Sequence, residues 1–285
     1  MDVDLRQLRA FVAVVDEGSF TDAALTLHTT QASVSRAVAS LEKAIGARVL
    51  RRSTREIGLT EAGSRVLGPA RMILAEVDRV LEAGRTGVFA LRVGHAWGAL
   101  GRHTTAIQQS WSQEFPGSEL LFEQVDSPAN GLVEGLVDAA VSRRPISDRR
   151  IETTLLGVEA RYAALSETDP LARRRRVSLT DLVDRTVAID EQTGTTTLDL
   201  WPPDNAPATT RISKGMDDWL TMIAAGQAVG ITAEATTHQH PRPGLKFRPV
   251  HDAEPVQVWL AWRRADPPER LDTLIQFARQ AYARG

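Results

Sequence analysis

The sequence predicts a protein of the α/β class, in which a small helical region, one long helix and a larger region of alternating strands and helices follow one another. Three observations support this prediction. The chain has 285 residues, which is more than one hydrophobic core usually organises. All six tryptophans and both tyrosines lie beyond residue 96, so two differently built regions are present. Between these regions, leucine recurs every seven residues, which is typical of a helix that pairs with a copy of itself.

The composition excludes several kinds of site. The chain has no cysteine, which excludes disulfides and thiolate metal sites. Its longest purely apolar runs are short, as at 11–15, and its N-terminus lacks the apolar stretch of a secretory signal. We therefore expect a cytoplasmic protein without a membrane partner. The net charge of −2 does not suggest nucleic acid, but residues 31–60 hold six basic and two acidic side chains.

Three helices are predicted in the first region. Apolar residues at 5, 8, 11, 12 and 15 form the stripe of an amphipathic helix, which Gly18 ends. Ser19 and Asp22 have the spacing of a capping box, so a second helix begins there. After a polar turn at 28–30, a third helix runs from 31 to about 44.

The third helix divides into two faces. An apolar stripe, predicted to be buried, consists of Val34, Val38, Leu41 and Ile45. The opposite face is small, hydroxylic and basic. Such a face fits the major groove of DNA, where an arginine such as Arg36 can bond guanine in a bidentate manner. A solvated helix surface has the same composition, so the face alone leaves both interpretations open.

A basic segment follows the third helix at 48–60. Two short extended pieces with arginines between them indicate a β-wing that contacts phosphates, and three helices with such a wing form a winged helix-turn-helix. The residues predicted to contact DNA are Thr30, Gln31, Ser33, Ser35, Arg36, Ser40, Arg51, Arg52, Thr54 and Arg55.

A long helix is predicted from 61 to about 85. Its heptad repeat, with Leu67, Leu74 and Leu81, favours pairing between two subunits. An amphipathic helix that packs on its own domain is the alternative. Pro69 predicts a kink, and Gly84 with Gly87 predicts a hinge.

Alternating strands and helices in the remaining chain predict parallel α/β sheets. The predicted strands are 90–94, 119–125, 139–142, 151–158, 161–166, 186–189, 228–232 and 257–262. The predicted helices are 100–111, 131–137, a short one capped at 178–181, 216–225 and 267–282.

A ligand site is expected where strands end and helices begin, because helix N-termini favour anionic groups. We expect Trp97 to form a wall for an aromatic or apolar ligand and Arg143 to bind an anion. Half-buried packing and a surface charge are the alternative interpretations of these two residues. The candidate effector-binding residues are Ala96, Trp97, Gly98, Ser142, Arg143, Gly194, Thr195 and Lys214.

No catalytic constellation is found in the sequence. It has neither a G-x-S-x-G elbow nor an H-E-x-x-H motif, and the pair His238 and His240 is too small for a metal site. The sequence therefore predicts no catalytic residue, no metal and no cofactor.

Several N-terminal segments together resemble a known family. The segments 5–11 (LRQLRAF), 18–24 (GSFTDAA), 30–36 (TQASVSR) and 59–63 (LTEAG) are similar to the signature of LysR-type transcriptional regulators. The match covers about sixty residues, with mild departures at Ala32 and at 49–50. The later chain resembles, more weakly, the family's effector domain, whose two lobes are like those of periplasmic binding proteins.

The resemblance implies a domain order and a function. It implies a DNA-binding domain at 1–60, a linker helix and hinge at 61–87, one effector lobe at 88–161 plus 264–285, and a second lobe at 162–263. The chain would cross between lobes near Arg161 and near Trp262. The implied function is an activator, a repressor or both, controlled by a small-molecule co-inducer, with an operator duplex and RNA polymerase as partners. Arg143 and the helix N-termini favour an anionic effector. The linker helix would form dimers that assemble into tetramers. The alternatives are a ligand-binding protein without a transcriptional role and an enzyme with a DNA-binding appendage.

Overall fold

The computed structural model describes residues 3–52, 57–86, 89–125, 127, 129–191 and 194–284. The chain divides into two compact units. The first unit comprises Met1–Val88 and Val133–Leu136, and the second comprises Phe89–Leu132 and Val137–Gly285. The N-terminal helices and wing form most of the first unit, and two five-stranded sheets form the second.

Local signals set the helix ends in the first unit. Its first three helices are α1 (Leu5–Glu17), α2 (Phe20–Thr26) and α3 (Gln31–Ile45). Gly18 ends α1 in the left-handed conformation, at φ 66°, as the sequence predicts. The hydroxyl of Ser19 accepts hydrogen bonds from the backbone N–H groups of Thr21 and Asp22, which confirms the predicted start of α2. An additional capping box, between Asp4 and Gln7, begins α1 and was not predicted.

The buried stripe of α3 is shorter than predicted. Val34, Val38 and Leu41 are buried in the core of the first unit, as expected. Ile45 is 37% exposed, so its assignment to the stripe was wrong. The reason is that Ile45 is the last helical residue and Gly46 turns the chain away at φ 77°.

The predicted wing is confirmed as a two-stranded sheet. Strand β1 (Leu50–Arg52) pairs antiparallel with β2 (Ile57–Leu59). Thr54 and Arg55, which the sequence predicts to contact DNA, lie outside the described residues, as does the side chain of Arg52.

The long helix α4 (Glu61–Thr86) continues through Pro69. Gly84 lies inside this helix and Gly87 lies outside the described residues, so the hinge that the sequence predicts at these glycines stays a prediction. The apolar residues of α4 fall into two groups. Those that pack on the core of the first unit are Val66, Leu67, Ala70 and Leu74. Those that are exposed are Ile73, Val80 and Leu81, at 47%, 65% and 55%.

The second unit contains the remaining strands and helices. Its strands are β3 (Phe89–His95), β4 (Ser118–Gln124), β5 (Ala139–Ser142), β6 (Ile151–Glu159), β7 (Arg161–Ser166), β8 (Thr186–Asp190), β9 (Thr209–Ser213), β10 (Val229–Ala233), β11 (Leu245–Pro249) and β12 (Val256–Arg263). Its helices are α5 (Thr104–Glu114), α6 (Met216–Ala224), α7 (Glu234–Gln239) and α8 (Leu271–Arg284).

The two sheets are mixed rather than purely parallel. Their strand orders are β4-β3-β5-β12-β6 and β11-β7-β10-β8-β9. Strand β3 is parallel to β4 and β5, and β8 is parallel to β9 and β10. Strands β7 and β12 are antiparallel to both of their neighbours. These are the two strands with which the chain enters one sheet from the other.

The chain crosses between the sheets at two places. It leaves β6 for β7 through Ala160, one residue before the predicted Arg161. It returns between Pro249 and Val256, and not near Trp262. Strand β12, which the sequence assigns to the second lobe, therefore belongs to the first sheet. Its apolar pattern is the same in either sheet, and only its pairing with β5 and β6 distinguishes them.

Some local predictions for the second unit were wrong. Residues 131–137 form turns instead of a helix, and α8 begins at Leu271 instead of 267. Strands β9 and β11 and helix α7 were not predicted. In β9, four of the five residues are exposed, so the strand lacks the apolar alternation that identifies a half-buried strand.

Two glycines of α4 provide a matched test of packing in the first unit. A Cβ on Gly63 would collide with the carbonyl oxygen of Val49, whereas a Cβ on Gly84 would meet nothing within 4 Å. We expect Gly63→Ala to lower the free energy of unfolding by about 1–3 kcal/mol because the backbone must shift. We expect Gly84→Ala to leave stability unchanged or raise it by up to about 1 kcal/mol. Denaturant unfolding measures both, and equal effects of the two substitutions would contradict the packing of α4 on the wing.

Candidate nucleic-acid interface and ligand cleft

Hydrogen bonds connect the polar residues at the start of α3. The hydroxyl of Thr30 accepts from the backbone N–H of Ser33 at 3.2 Å and caps the helix. The hydroxyl oxygens of Thr30 and Ser33 lie 2.9 Å apart. A guanidinium nitrogen of Arg36 donates to the Ser33 hydroxyl at 3.4 Å. Three of the predicted DNA contacts thus form one polar row along the helix.

This row lies on the face of α3 opposite its buried stripe. The exposed residues of the face are Ala32, Arg36, Ala39, Ser40 and Lys43. Ser33 and Ser35, which flank the face, are half-buried, and Gln31 is exposed at the start of the helix. Ala32 and Ser40 flank Arg36 one helical turn away on either side. Because these neighbours are small, the helix backbone can approach a surface closely while Arg36 extends from it. The geometry therefore suits insertion into the major groove.

Contacts with α3 and α4 hold the wing in place. A carboxylate oxygen of Glu42, on α3, accepts from the backbone N–H groups of Val49 and Leu50 at 2.9 and 3.3 Å. Thr60 donates its hydroxyl hydrogen to the carbonyl of Arg48 at 2.7 Å. Across the wing, the Arg51 guanidinium donates to the carbonyl of Leu59 at 3.0 Å. Glu42 was not predicted to be a functional residue, but the hydrogen bonds that its carboxylate accepts fix the wing to α3.

In the second unit, Trp97 fills space between the two sheets. Its side chain is only 4% exposed and forms a cluster with Ala233 and Val256, which Ala96 and Met216 extend. Val256 begins β12 in the first sheet, and Ala233 ends β10 in the second. Trp97 therefore packs against both sheets, and its indole does not form the open wall of a ligand site that the sequence predicts.

Arg143 is buried in an ion pair with Glu159. The guanidinium donates to the two carboxylate oxygens at 3.0 and 2.7 Å, and both side chains are about 5% exposed or less. It also donates to the carbonyls of Ala99 at 2.9 Å and Trp97 at 3.3 Å, and it lies 5.4 Å from the centre of the Trp97 ring. The predicted anion-binding geometry of Arg143 is thus occupied by a carboxylate of the chain itself. The sequence could not reveal this because the two partners are 16 positions apart.

Glu159 has two further hydrogen-bond donors. The Tyr282 hydroxyl donates to it at 2.8 Å and the backbone N–H of Ala235 at 3.3 Å. Burial alone would raise the pKa of Glu159, but the charge and hydrogen bonds of Arg143, together with the other donors, hold this pKa below its ordinary value. Burial and the neighbouring carboxylate raise the pKa of Tyr282. The ion pair is therefore charged at neutral pH.

The other candidate effector residues lie in three places. Gly98, at φ 76°, is next to Arg143, and a Cβ there would lie 3.1 Å from the Ala235 side chain. Ser142 is buried and donates its hydroxyl hydrogen to the carbonyl of Arg144 at 2.6 Å. Gly194 donates its backbone N–H to the carbonyl of Asp190. The carbonyl of Thr195 accepts a hydrogen bond from the Arg161 guanidinium at 2.9 Å. Lys214 is exposed.

His95 is a further candidate ligand-binding residue, which stands with Ala96, Trp97 and Gly98 after the predicted strand at 90–94. It ends β3, directly before Ala96. Its Nδ1 is buried and has no hydrogen-bond partner among the described residues. Burial, followed by the charges of Arg143 and His240, lowers the pKa of His95 to about 4, so the imidazole is neutral at physiological pH. Its position after a predicted strand made it a candidate from the sequence as well.

A cavity of about 280 Å³ lies at the crossing between the two sheets. Its lining includes Arg102, His103, Glu159, Glu234 and Tyr282. In the part of the chain that the structure describes, no group of three or more histidine or acidic side chains could hold a metal ion. No helix among these residues is long and apolar enough to cross a membrane.

The chain belongs to the LysR family of bacterial transcriptional regulators. Residues 5–64 match the family described as "Bacterial regulatory helix-turn-helix protein, lysR family". Residues 86–283 match the "LysR substrate binding domain". The chain thus combines a DNA-binding helix-turn-helix domain with an effector-binding domain.

Curated relatives match this chain along almost its whole length. The regulator ShiR of Corynebacterium glutamicum (strain R) is 30% identical, over 97% of this chain and 98% of its own length. The regulator BenM of Acinetobacter baylyi is 27% identical, over 99% of this chain and 97% of its own. The crystal structure of CbnR, a LysR family regulator, has a TM-score of 0.75 at 21% identity and covers 98% of this chain and 99% of that one, which supports the fold. CbnR has also been solved with its target DNA, and that structure has a TM-score of 0.72 and the same identity and coverage.

The Arg143–Glu159 pair yields a test of its structural role. Removing one partner leaves a buried charge uncompensated, so we expect Arg143→Met or Glu159→Gln to lower the free energy of unfolding by about 3–5 kcal/mol. The double variant removes both charges. It should therefore lower the free energy of unfolding by clearly less than the sum of the two single substitutions. Denaturant unfolding of the four proteins gives the coupling energy. A coupling energy near zero would show that the pair does not stabilise the second unit.

Proposed function

We propose that α3 is the recognition helix and lies in the major groove of an operator duplex. The observation that carries this proposal is the polar row on α3, which faces away from the core and is flanked by small residues. In this proposal Ser33, Ser35 and Arg36 read base edges. Gln31 joins them at the start of the helix, and Thr30 and Ser40 contact the DNA beside them. The residues of the wing region that bind the DNA backbone and the minor groove are Arg51, Arg52, Thr54 and Arg55.

We further propose that two copies of the chain pair through α4. The support is the exposed apolar group Ile73, Val80 and Leu81, which would be buried between two such helices. A dimer presents two recognition helices to half-sites about 34 Å apart, or a multiple of this distance. In this proposal dimers assemble into tetramers and contact RNA polymerase at promoters. The protein acts in the cytoplasm, where its DNA target lies.

A small-molecule effector is proposed to bind between the two sheets, around Trp97. The groups offered there are the indole, the neutral imidazole of His95 and the backbone of Ala96 and Gly98. Ser142, Gly194 and Thr195 line the same region in this proposal. Since Glu159 already neutralises Arg143, the exposed Lys214 is the cation of the candidate set that an anionic effector would use. The effector changes the angle between the sheets, which is a population shift and not a catalysed reaction.

The proposed role is non-enzymatic. The curated relatives described above are transcriptional regulators. The candidate residues supply hydrogen-bond donors, an aromatic surface and one cation, but no pairing of a nucleophile with a base. Turnover of the effector by the purified protein would contradict this assignment.

Substitutions in α3 and in the wing are expected to have different effects on DNA binding. Arg36→Ala should weaken operator binding by about 1–3 kcal/mol and relax the preference at one base position, because a bidentate base contact is lost. Arg52→Ala should weaken binding to all DNA sequences alike, because a phosphate contact is lost. It should also reduce the salt dependence of the binding constant. Fluorescence anisotropy with operator and scrambled duplexes measures both. Unchanged operator affinity in Arg36→Ala would refute the assignment of the recognition face.

Effector binding can be followed by tryptophan fluorescence, because all six tryptophans belong to the second unit. We expect titration with a panel of small carboxylates, phosphates and aromatic acids to reveal a saturable change for one class. In the variant Trp97→Phe most of this fluorescence change should disappear. The variant Trp111→Phe, whose substitution lies on the core face of α5, should retain it. A saturable response that is the same in both variants would place the effector away from Trp97.

A further inference from the structure

The charges on α1 run against the helix dipole. Arg6 and Arg9 are exposed in its first half, and Asp16 and Glu17 are exposed in its last turn. A helix is stabilised by the opposite arrangement, with acids near its N-terminus and bases near its C-terminus. The placement of these four charges therefore has a cause other than the stability of α1.

The acidic residues have partners that explain their positions. Asp16 forms an ion pair with Arg71 of α4, and a carboxylate oxygen of Glu17 accepts the hydroxyl hydrogen of Thr26 at 2.8 Å. The guanidinium groups of Arg6 and Arg9, in contrast, have no hydrogen-bond or ion-pair partner among the described residues. The two arginines are three positions apart and so lie on one side of the helix.

Both arginines line a groove between α1 and α3, with a volume of about 390 Å³. Thr29 and Ser33 also line the groove, and small and apolar residues such as Ala10 and Val34 complete it. Ser33 also belongs to the polar row that includes Arg36. The groove therefore opens directly beside the face proposed to read bases.

We propose that the sugar-phosphate backbone of the bound duplex lies along this groove and that Arg6 and Arg9 bind its phosphates. This inference rests on the proposed function of α3 and adds α1 as a DNA-contacting element beside α3 and the wing. Arginine and hydroxyl side chains are frequent partners of DNA phosphates, and the anionic backbone complements the two unpaired cations. Phosphate contacts position a protein without reading sequence. Arg6 and Arg9 therefore contribute to affinity and to salt dependence, but not to base preference.

The test uses Arg6→Met and Arg9→Met, singly and together, with a mixed-sequence duplex as the probe. Methionine keeps an apolar stem over the groove and removes the charge, so the fold is retained. The dissociation constant is measured between about 50 and 200 mM salt, the range over which phosphate contacts change affinity most clearly. We expect the slope of log K against log salt to decrease by about 0.9 for each arginine removed. The melting temperature and the ratio of operator to mixed-sequence affinity should stay at their wild-type values.

Two controls separate charge from position. Arg9→Lys retains the charge and should largely retain the slope. Arg149→Met removes an exposed arginine of the second unit and should leave both affinity and slope unchanged. A wild-type slope in the Arg6→Met/Arg9→Met double variant would overturn this inference and leave the proposed function intact. A changed base preference in that variant would overturn the assignment to phosphates. If the wild-type protein binds no duplex, the proposed function fails and this inference fails with it.

Discussion

The arrangement of the second unit depends on the buried carboxylate of Glu159. Its donors come from three separate places: Arg143 follows β5, Tyr282 lies on α8, and the N–H of Ala235 lies in α7 beside the second sheet. Burial of a carboxylate costs several kcal/mol unless such donors surround it. Glu159 directly precedes the crossing at Ala160. Its hydrogen bonds therefore fix this crossing to elements beside both sheets.

The same constraint includes the segment around Trp97. Arg143 bonds the carbonyls of Trp97 and Ala99, so the segment after β3 is held by the same guanidinium that neutralises Glu159. A ligand that displaced Trp97 would also disturb these bonds. In the proposed function, this is how binding of an effector would be coupled to a change in the angle between the sheets.

The first unit could be predicted from the sequence to a large extent because its signals are local. Gly18, the Ser19 cap and the apolar spacing of Val34, Val38 and Leu41 each act over a few residues, and the structure confirms all of them. The same spacing identified the exposed face of α3. Ile45 was misassigned because spacing does not show where the helix ends.

The second unit could be predicted only in part, because its defining contacts are distant in sequence. Most strands were found, but their pairing was not, and β12 was placed in the wrong lobe for that reason. The ion pair between Arg143 and Glu159 joins residues that no local pattern connects. Arg143 was consequently interpreted as a free cation, and the role of Glu159 was missed.

In the proposed function, the protein recognises a specific DNA sequence through two symmetric recognition helices. Repeated selection of bound duplexes from a random-sequence pool tests this proposal directly, because the selection itself identifies the operator. We expect enrichment of one sequence with two inverted half-sites, whose centres are separated by one helical turn or a multiple of it. Recovery of duplexes without a shared motif, or of a single unrepeated site, would contradict it.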